Sequence, residues 1–575
     1  MSNQRRSTIR LLAQGLAAGL AVGLLAAPPA HADYADVDLR TEVDIRIKGT
    51  RPDASRAVAR AGDVNGDGYD DVLVGEPSAY GTDEHSWYVV FGGVTGPVDL
   101  ADLGDDGFRI TTAAPEHDWG TSSVDGAGDI DGDGYDDLVI GVPSATNNSR
   151  FRSGAAYVVR GGAAPGDVDL ADLGSRGFRI DGAATGDGLG GSVAGAGDVN
   201  RDGYDDILLG ATEAENNDRD YSGSAYVVLG GSTDPLDLAA LGDRGFRIDG
   251  AAPNDRLGSS VAGAVDVNAD GWDDLLLGAM YADHSGVDGS GSAYVVWGGA
   301  TADVDLADLG DRGLRIDGTQ PYGQLGVSVA GAGDVNADGV DDMILGAWGE
   351  DPGGVEGTGS VYVVFGGDRG PLDLRSLGSR GFRIDGASLN DAIGGTGTGT
   401  GTGDVNGDGY DDLLIGAWDS AYLVFGGSRG SVDLKDPGDR GLRIDRAGKK
   451  VAGPGDINRD GYADLVIVAH RTAYVVFGHP TATLTVTARK KAKKIRRTGR
   501  TKLVRTIRVG DDQTASVKVK VLPKKGRKTV TVKKTKHRVV LRTRNTPRKT
   551  RIRVRIAARG SDYFTTTWKR TWRVR

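Results

Sequence analysis

The 575-residue chain has no cysteine, three methionines, seven histidines and only 6% aromatic residues. Without cysteine, no disulfide can form and no thiolate can serve as nucleophile or soft metal ligand. The histidines are His31, His85, His117, His284, His470, His479 and His537, and none forms an HExxH or HxH pair. The repeated SVAG stretches lack the frame of a GxSxG elbow. The sequence therefore presents no assembled nucleophile and base, and it reads as a binder before it reads as an enzyme. His117-Asp118-Trp119 and the Glu84-His85-Trp87 group are the least repetitive polar clusters, and both are read as loop residues. No heptads and no long helical periodicity occur, which excludes a coiled coil or helical bundle. What is plentiful is glycine, 93 residues, between short apolar runs. That pattern predicts many short strands joined by tight turns.

The two ends differ from the middle. Arg5, Arg6 and Arg10 precede an apolar run over 11–27, and Ala30-His31-Ala32 offers a small-x-small cleavage signature. Residues 1–32 are expected to be a signal peptide for the general secretory route. No later apolar run is long enough to span a membrane. The Asn147-Asn148-Ser149 sequon is read as loop polarity. At the other end, residues 481–575 hold 33 Lys and Arg against 3 Asp and Glu, a charge of +30. The rest of the chain carries −42, so the overall −12 conceals a boundary near Pro480.

Residues 33–480 are a repeat. The motif Asp63–Gly75, DVNGDGYDDVLVG, recurs with its first aspartate at Asp129, Asp198, Asp266, Asp334, Asp404 and Asp456. Its flanks recur too, as SVAGAGDVNRDGYDDILLGA (192–211), GSAYVVLGG (223–231) and GFRIDGA (245–251). Each unit reads as four strands, and radial repetition of four-stranded units predicts a β-propeller. The last unit ends at AYVVFG (473–478) without its fourth strand, whereas VDIRI (43–47) stands unpaired before the first. The N-terminal strand is therefore expected to complete the seventh blade and close the ring. In blade six, GGTGTGTGTGD (394–404) replaces the usual first strand, and dense glycine weakens a strand.

The acidic segment between first and second strands can be numbered one to nine. Positions one, three, five and nine are Asp63, Asn65, Asp67 and Asp71 in loop one, and Asp129, Asp131, Asp133 and Asp137 in loop two. Loop three has Asp198, Asn200, Asp202 and Asp206; loop four has Asp266, Asn268, Asp270 and Asp274. Loop five has Asp334, Asn336, Asp338 and Asp342; loop six has Asp404, Asn406, Asp408 and Asp412. Loop seven has Asp456, Asn458, Asp460 and Asp464. Alternate hard oxygens in a tight loop, with glycine at position six, suit Ca2+, which takes six to eight oxygen ligands. A transition metal would call for His or Cys, and these loops have neither. An EF-hand would need Glu at position twelve and flanking helices; position twelve of loop one is Val74, inside an apolar strand. Up to seven structural Ca2+ ions are expected. Loop two, with its extra carboxylate Asp131, is expected to bind tightest.

With these motifs, the stretches LGSSVAGAVDVNADGWDDLLLGA (257–279) and GSAYVVWGG (291–299) resemble FG-GAP repeats, as found in integrin α subunits and related secreted proteins. The resemblance covers about 33–480. It implies a seven-bladed propeller whose loops hold structural calcium away from the ligand-binding face.

Residues 481–575 alternate with period two in seven runs and are expected to form a small immunoglobulin-like β-sandwich. Its charge suits an anionic cell-wall polymer, and nothing points to nucleic acid. The sequence thus predicts a secreted, all-β, calcium-binding adhesion or binding module, retained at the cell surface through its basic domain. Its propeller loops would take an extracellular protein or glycan. The alternative is a propeller-fold extracellular hydrolase acting on glycans or phosphoesters.

Overall fold

The computed structural model describes residues 37–479, apart from 40–42, 51–56, 77–83, 114–122 and a few positions in 368–398, 428–429 and 470–471; beyond 479 it describes strands only. The expected signal peptide and the His117 cluster lie outside the described residues. So do His470 and His537.

Alternating apolar residues and closely spaced turns produce seven sheets of five strands each. Blade three is representative: Leu189–Gly197, Asp206–Ala211, Ser224–Val228 and Gly245–Asp249 pair antiparallel in that order. The fifth strand corrects the expectation of four. It is the two-residue segment Val304–Asp305, borrowed from the next unit and paired parallel to the fourth strand. All the Val-Asp or Leu-Asp pairs of the repeat do this, including Val37–Asp38, which pairs with Gly441–Asp445 of blade six. Blade seven contains Val451–Gly455, Asp464–Ala469 and Thr472–Val476, and Ile45–Lys48 pairs antiparallel with the last of these.

The second strands are buried on both faces, as their unbroken apolar runs predict. The core is layered, with each of seven apolar clusters formed by two adjacent blades. One includes Ile45, Ile47, Val72, Tyr88 and Val466, where blades seven and one meet. The first strands converge on the axis, which explains their small residues. A Cβ on Gly195 would stand 2.7 Å from the Gly126 carbonyl oxygen, and one on Gly263 would stand 2.5 Å from Ala196 Cα. Even GTGTG forms the first strand of blade six, Gly399–Gly403, because glycine fits that crowded axis.

Beyond the propeller, the basic segment forms a four-stranded sheet and a three-stranded sheet. Among the described residues, no helix is long and apolar enough to cross a membrane.

Candidate metal centres

All seven acidic loops connect a first strand to a second, so they gather at one end of the blades. Glycine at position six takes the left-handed conformation throughout, from φ +81° at Gly271 to +93° at Gly203, where a side chain would be strained. The Oδ2 of the first aspartate accepts this glycine's N–H, at 2.7 Å for Asp63 and Gly68 and at 3.0 Å for Asp198 and Gly203. The position-five carboxylate accepts the N–H two residues on, as between Asp67 and Tyr69 at 3.0 Å. These local bonds fold the loop before any ion is considered.

Position nine is the anchor. Asp71, Asp137, Asp206, Asp274, Asp342, Asp412 and Asp464 are all fully buried. Each accepts the N–H of the glycine that follows the third strand, from Gly92 at 2.8 Å to Gly366 at 3.0 Å. Burial pushes their carboxyls up, to about 8 for Asp71, Asp137 and Asp464 and about 7 for Asp206, Asp274 and Asp342; Asp412 moves in the same direction. The neighbouring carboxylates add to the rise, while the backbone donors oppose it. A fixed positive charge is what such a site lacks.

Position three divides the loops. In loops one, three and seven, the Asn65, Asn200 and Asn458 amides donate to the position-five carboxylates at 2.9–3.2 Å. In loops four, five and six, Asn268, Asn336 and Asn406 are buried and donate to the position-nine carboxylates at 3.0–3.3 Å. Position three thus reaches position nine in loops four to six and position five in loops one, three and seven, and in loop six Asn406 also bonds Asp408 at position five. In loop two, oxygens of Asp129, Asp131 and Asp137 lie within 4.8 Å of one another. Buried Asp63 Oδ1 has no hydrogen-bond donor among the described residues, whereas Asp131 Oδ2 is met by the Arg160 guanidinium. An all-oxygen donor set, acidic and partly orphaned, fits a hard divalent cation.

One structural residue was missed by reading each loop separately. Position eight is also aspartate in six loops, and it reaches the preceding blade. Asp136 accepts from Asp63 N at 2.7 Å, Asp205 from Asp129 N at 2.8 Å, and Asp273 from Asp198 N at 3.1 Å. Asp341, Asp411 and Asp70 serve loops four, five and seven in the same way. The Asp-Asp doublet was the available signal. Loop seven has Ala463 instead, leaving loop six without this tie. The space is present: a Cβ on Gly403 would meet only the Ala463 Cβ, at 3.0 Å, whereas one on Gly62 would collide with Asp136 Oδ2. Ala463→Asp is expected to stabilise the calcium-loaded chain by about 1 kcal/mol, less than a full charge-assisted bond because Asp404 repels the new carboxylate. The urea midpoint checks this.

Elsewhere, His85 is a correction. It lies in the third strand of blade one, Glu84–Val90, only 4% exposed and stacked 6.0 Å from Trp87. Strand register sets it where blades two to five carry glycine, at Gly154, Gly223, Gly291 and Gly359. Both residues line a cavity of about 580 Å³ between blades one and two, with Tyr157 and Arg179. Its described lining contains no carboxylate. Asn147 is buried, and its side-chain nitrogen donates to the Gly154 carbonyl. The exposed large side chains Phe151, Tyr221, Tyr281, Tyr322, Trp348 and Trp418 lie on second-to-third or fourth-to-first connections. Strand direction puts those connections at the end opposite the acidic loops.

Five segments match the model of the FG-GAP repeat: residues 56–90, 121–159, 189–228, 257–296 and 396–432. They fall in blades one to four and six. Integrin alpha pat-2 of Caenorhabditis elegans is 30% identical over 299 residues, 48% of this chain and 22% of that protein. Phosphatidylinositol-glycan-specific phospholipase D of Rattus norvegicus is 32% identical over 241 residues, 40% of this chain and 27% of that protein. Integrin alpha-PS2 of Drosophila melanogaster is 34% identical over 190 residues, 32% of this chain and 13% of that protein. The chain therefore spans only a minor part of each of these relatives.

Proposed function

We propose, on the premise that this chain is an integrin-alpha-like propeller carrying FG-GAP repeats, that it is a secreted, calcium-stabilised binding or adhesion module. The observation that carries the reading is the division between its two ends. Every acidic loop is at one end, and the large exposed aromatic side chains are at the other. A metal-dependent scaffold and a contact surface for a protein or glycan can thus coexist without competing for residues. In each loop, positions one, three, five and nine would hold the ion. Bound calcium would supply the positive charge that the buried position-nine carboxylate lacks. We read residues 1–32 as the export signal and 33–480 as a ring closed by the N-terminal strand, a reading favoured by the pairing of Ile45–Lys48 with Thr472–Val476. We assign 481–575 to a basic sandwich that tethers the chain to an anionic cell-wall polymer.

The test is co-sedimentation of the full chain with purified teichoic acid-bearing cell wall in calcium. Binding is expected at low salt and should fall at least tenfold between about 50 and 500 mM salt, because screening acts on exposed charges. Charge reversal at Lys490, Lys491, Lys493 and Lys494 should weaken it. Salt-independent binding would remove the tether from the reading. A second reading, an extracellular hydrolase of glycans or phosphoesters, draws on the similarity to the phospholipase D. Turnover of a glycosylphosphatidylinositol that is lost in His85→Ala would favour it.

A further inference from the structure

Loop two departs from the other six at two places together. Its position three is Asp131, where the others have Asn. The residue after its third strand is Arg160, where the others have Phe91, Leu229, Trp297, Phe365, Phe425 and Phe477. The backbone at this place does not change. Arg160 N donates to the Arg176 carbonyl at 2.9 Å, as Phe91 N does to Asp106 at 2.8 Å and Leu229 N to Arg244 at 2.9 Å. Only the side chain differs, and it delivers a guanidinium to the loop. That group contacts the Asp131 carboxylate, lies 3.5 Å from Asp133 and donates to the Ser175 carbonyl at 3.3 Å. The Asp131 side chain is 7% exposed. Asp129, Asp131 and Asp137 form the one trio of closely spaced carboxylates among the described residues, and a fixed cation is set against it.

We propose that Arg160 is the resident cation of loop two, holding the loop in shape without a divalent ion and making it the weakest calcium site of the seven. The proposal rests on the calcium reading of the other loops. It reverses the expectation that an extra carboxylate makes loop two the tightest. An entering ion must either displace the guanidinium from two carboxylates or bind beside a like charge. It also explains why Asp131 and Arg160 occur together: an Asn at 131 would leave the partly buried guanidinium with less compensation, and an apolar residue at 160 would leave the third carboxylate without a partner.

The test uses the full chain, stripped with EDTA, as wild type and as Arg160→Phe; Arg160→Met, which keeps the aliphatic stem, is the second variant. Calcium titration by calorimetry should give six sites, with loop two at least ~10-fold weaker, and removing the charge should recruit a seventh. Seven equivalent sites in the wild type, unchanged in the variants, would overturn the proposal. Hydrogen exchange in EDTA is independent of calcium binding. The loop-two amides of Gly132–Tyr135 should exchange more slowly than their counterparts elsewhere, and both variants should abolish the difference. If loop two exchanges like the rest, Arg160 is not the resident cation, whatever the calorimetry shows. If no loop takes calcium but this protection is present, the calcium reading fails and the internal cation stands.

Discussion

Chelating calcium is expected to lower the melting temperature of the full chain by up to about 20 °C near neutral pH. At a dissociation constant near 10 μM and about 1 mM free calcium, each site contributes roughly 2.7 kcal/mol. Seven independent sites would give about 19 kcal/mol, an upper limit because they share one cooperative fold. A unit of this size shifts by about 1 °C per kcal/mol. Chelation should also change the response to pH. The position-nine carboxyls begin at 3.8 and are raised to about 7 or 8 by burial. The folded chain then binds more protons than the unfolded chain between those values, so this stability is present at low pH and is lost as pH rises through about 7–8. The melting temperature in EDTA should therefore fall from pH 5 to pH 8. Calcium favours the ionised carboxylate, so the gap between the calcium and EDTA melts should widen over the same range. Coincident melts in calcium and EDTA at pH 8 would refute this account.

The repeat was legible because a strand-loop-strand unit is a local object. Periodic first aspartates set the blade count, apolar runs marked the buried second strands, and glycine at position six marked the turn. Features connecting one unit to another were less visible. The Val-Asp fifth strand is two residues long and pairs with a strand of the preceding unit, as Val304 does with Ile248. Nothing in so short a segment distinguishes an edge strand from a linker. Position eight has the same difficulty: the Asp-Asp doublet is visible in the loop, but that Asp136 serves Asp63 across a blade boundary is not. His85 looked like a polar loop residue because the Glu84-His85-Ser86 run is hydrophilic. Its burial follows from register, since the next residues occupy the strand that later repeats fill with SAYVV. Arg160 could have been found by aligning VVRGG with VVFGG, but its target could not, because that requires the loop and the third strand to be seen together.

The adjacent carboxylates Asp205 and Asp206 separate two kinds of structural work, and alanine at each should show it. Asp206 accepts Val199 N at 3.0 Å and Gly230 N at 2.9 Å from a fully buried position. Asp206→Ala removes both bonds inside one blade, leaving Gly230 N without its acceptor and Val199 N with only the Gly197 carbonyl at 3.2 Å, and it removes a proposed ligand position. The expected loss is about 3–6 kcal/mol in calcium, from two hydrogen bonds to a charged acceptor. Asp205 is half-buried and accepts one bond, from Asp129 N at 2.8 Å in the preceding blade. Asp205→Ala should therefore cost about 1–3 kcal/mol. Its effect should remain in EDTA, because the bond joins loops whether or not an ion sits in either. Part of the Asp206→Ala loss should disappear in EDTA, where no ion remains to be lost. Urea unfolding of both variants, with and without calcium, distinguishes these contributions. An equal loss for Asp206→Ala in the two conditions would mean that position nine anchors the third strand and takes no part in holding the ion.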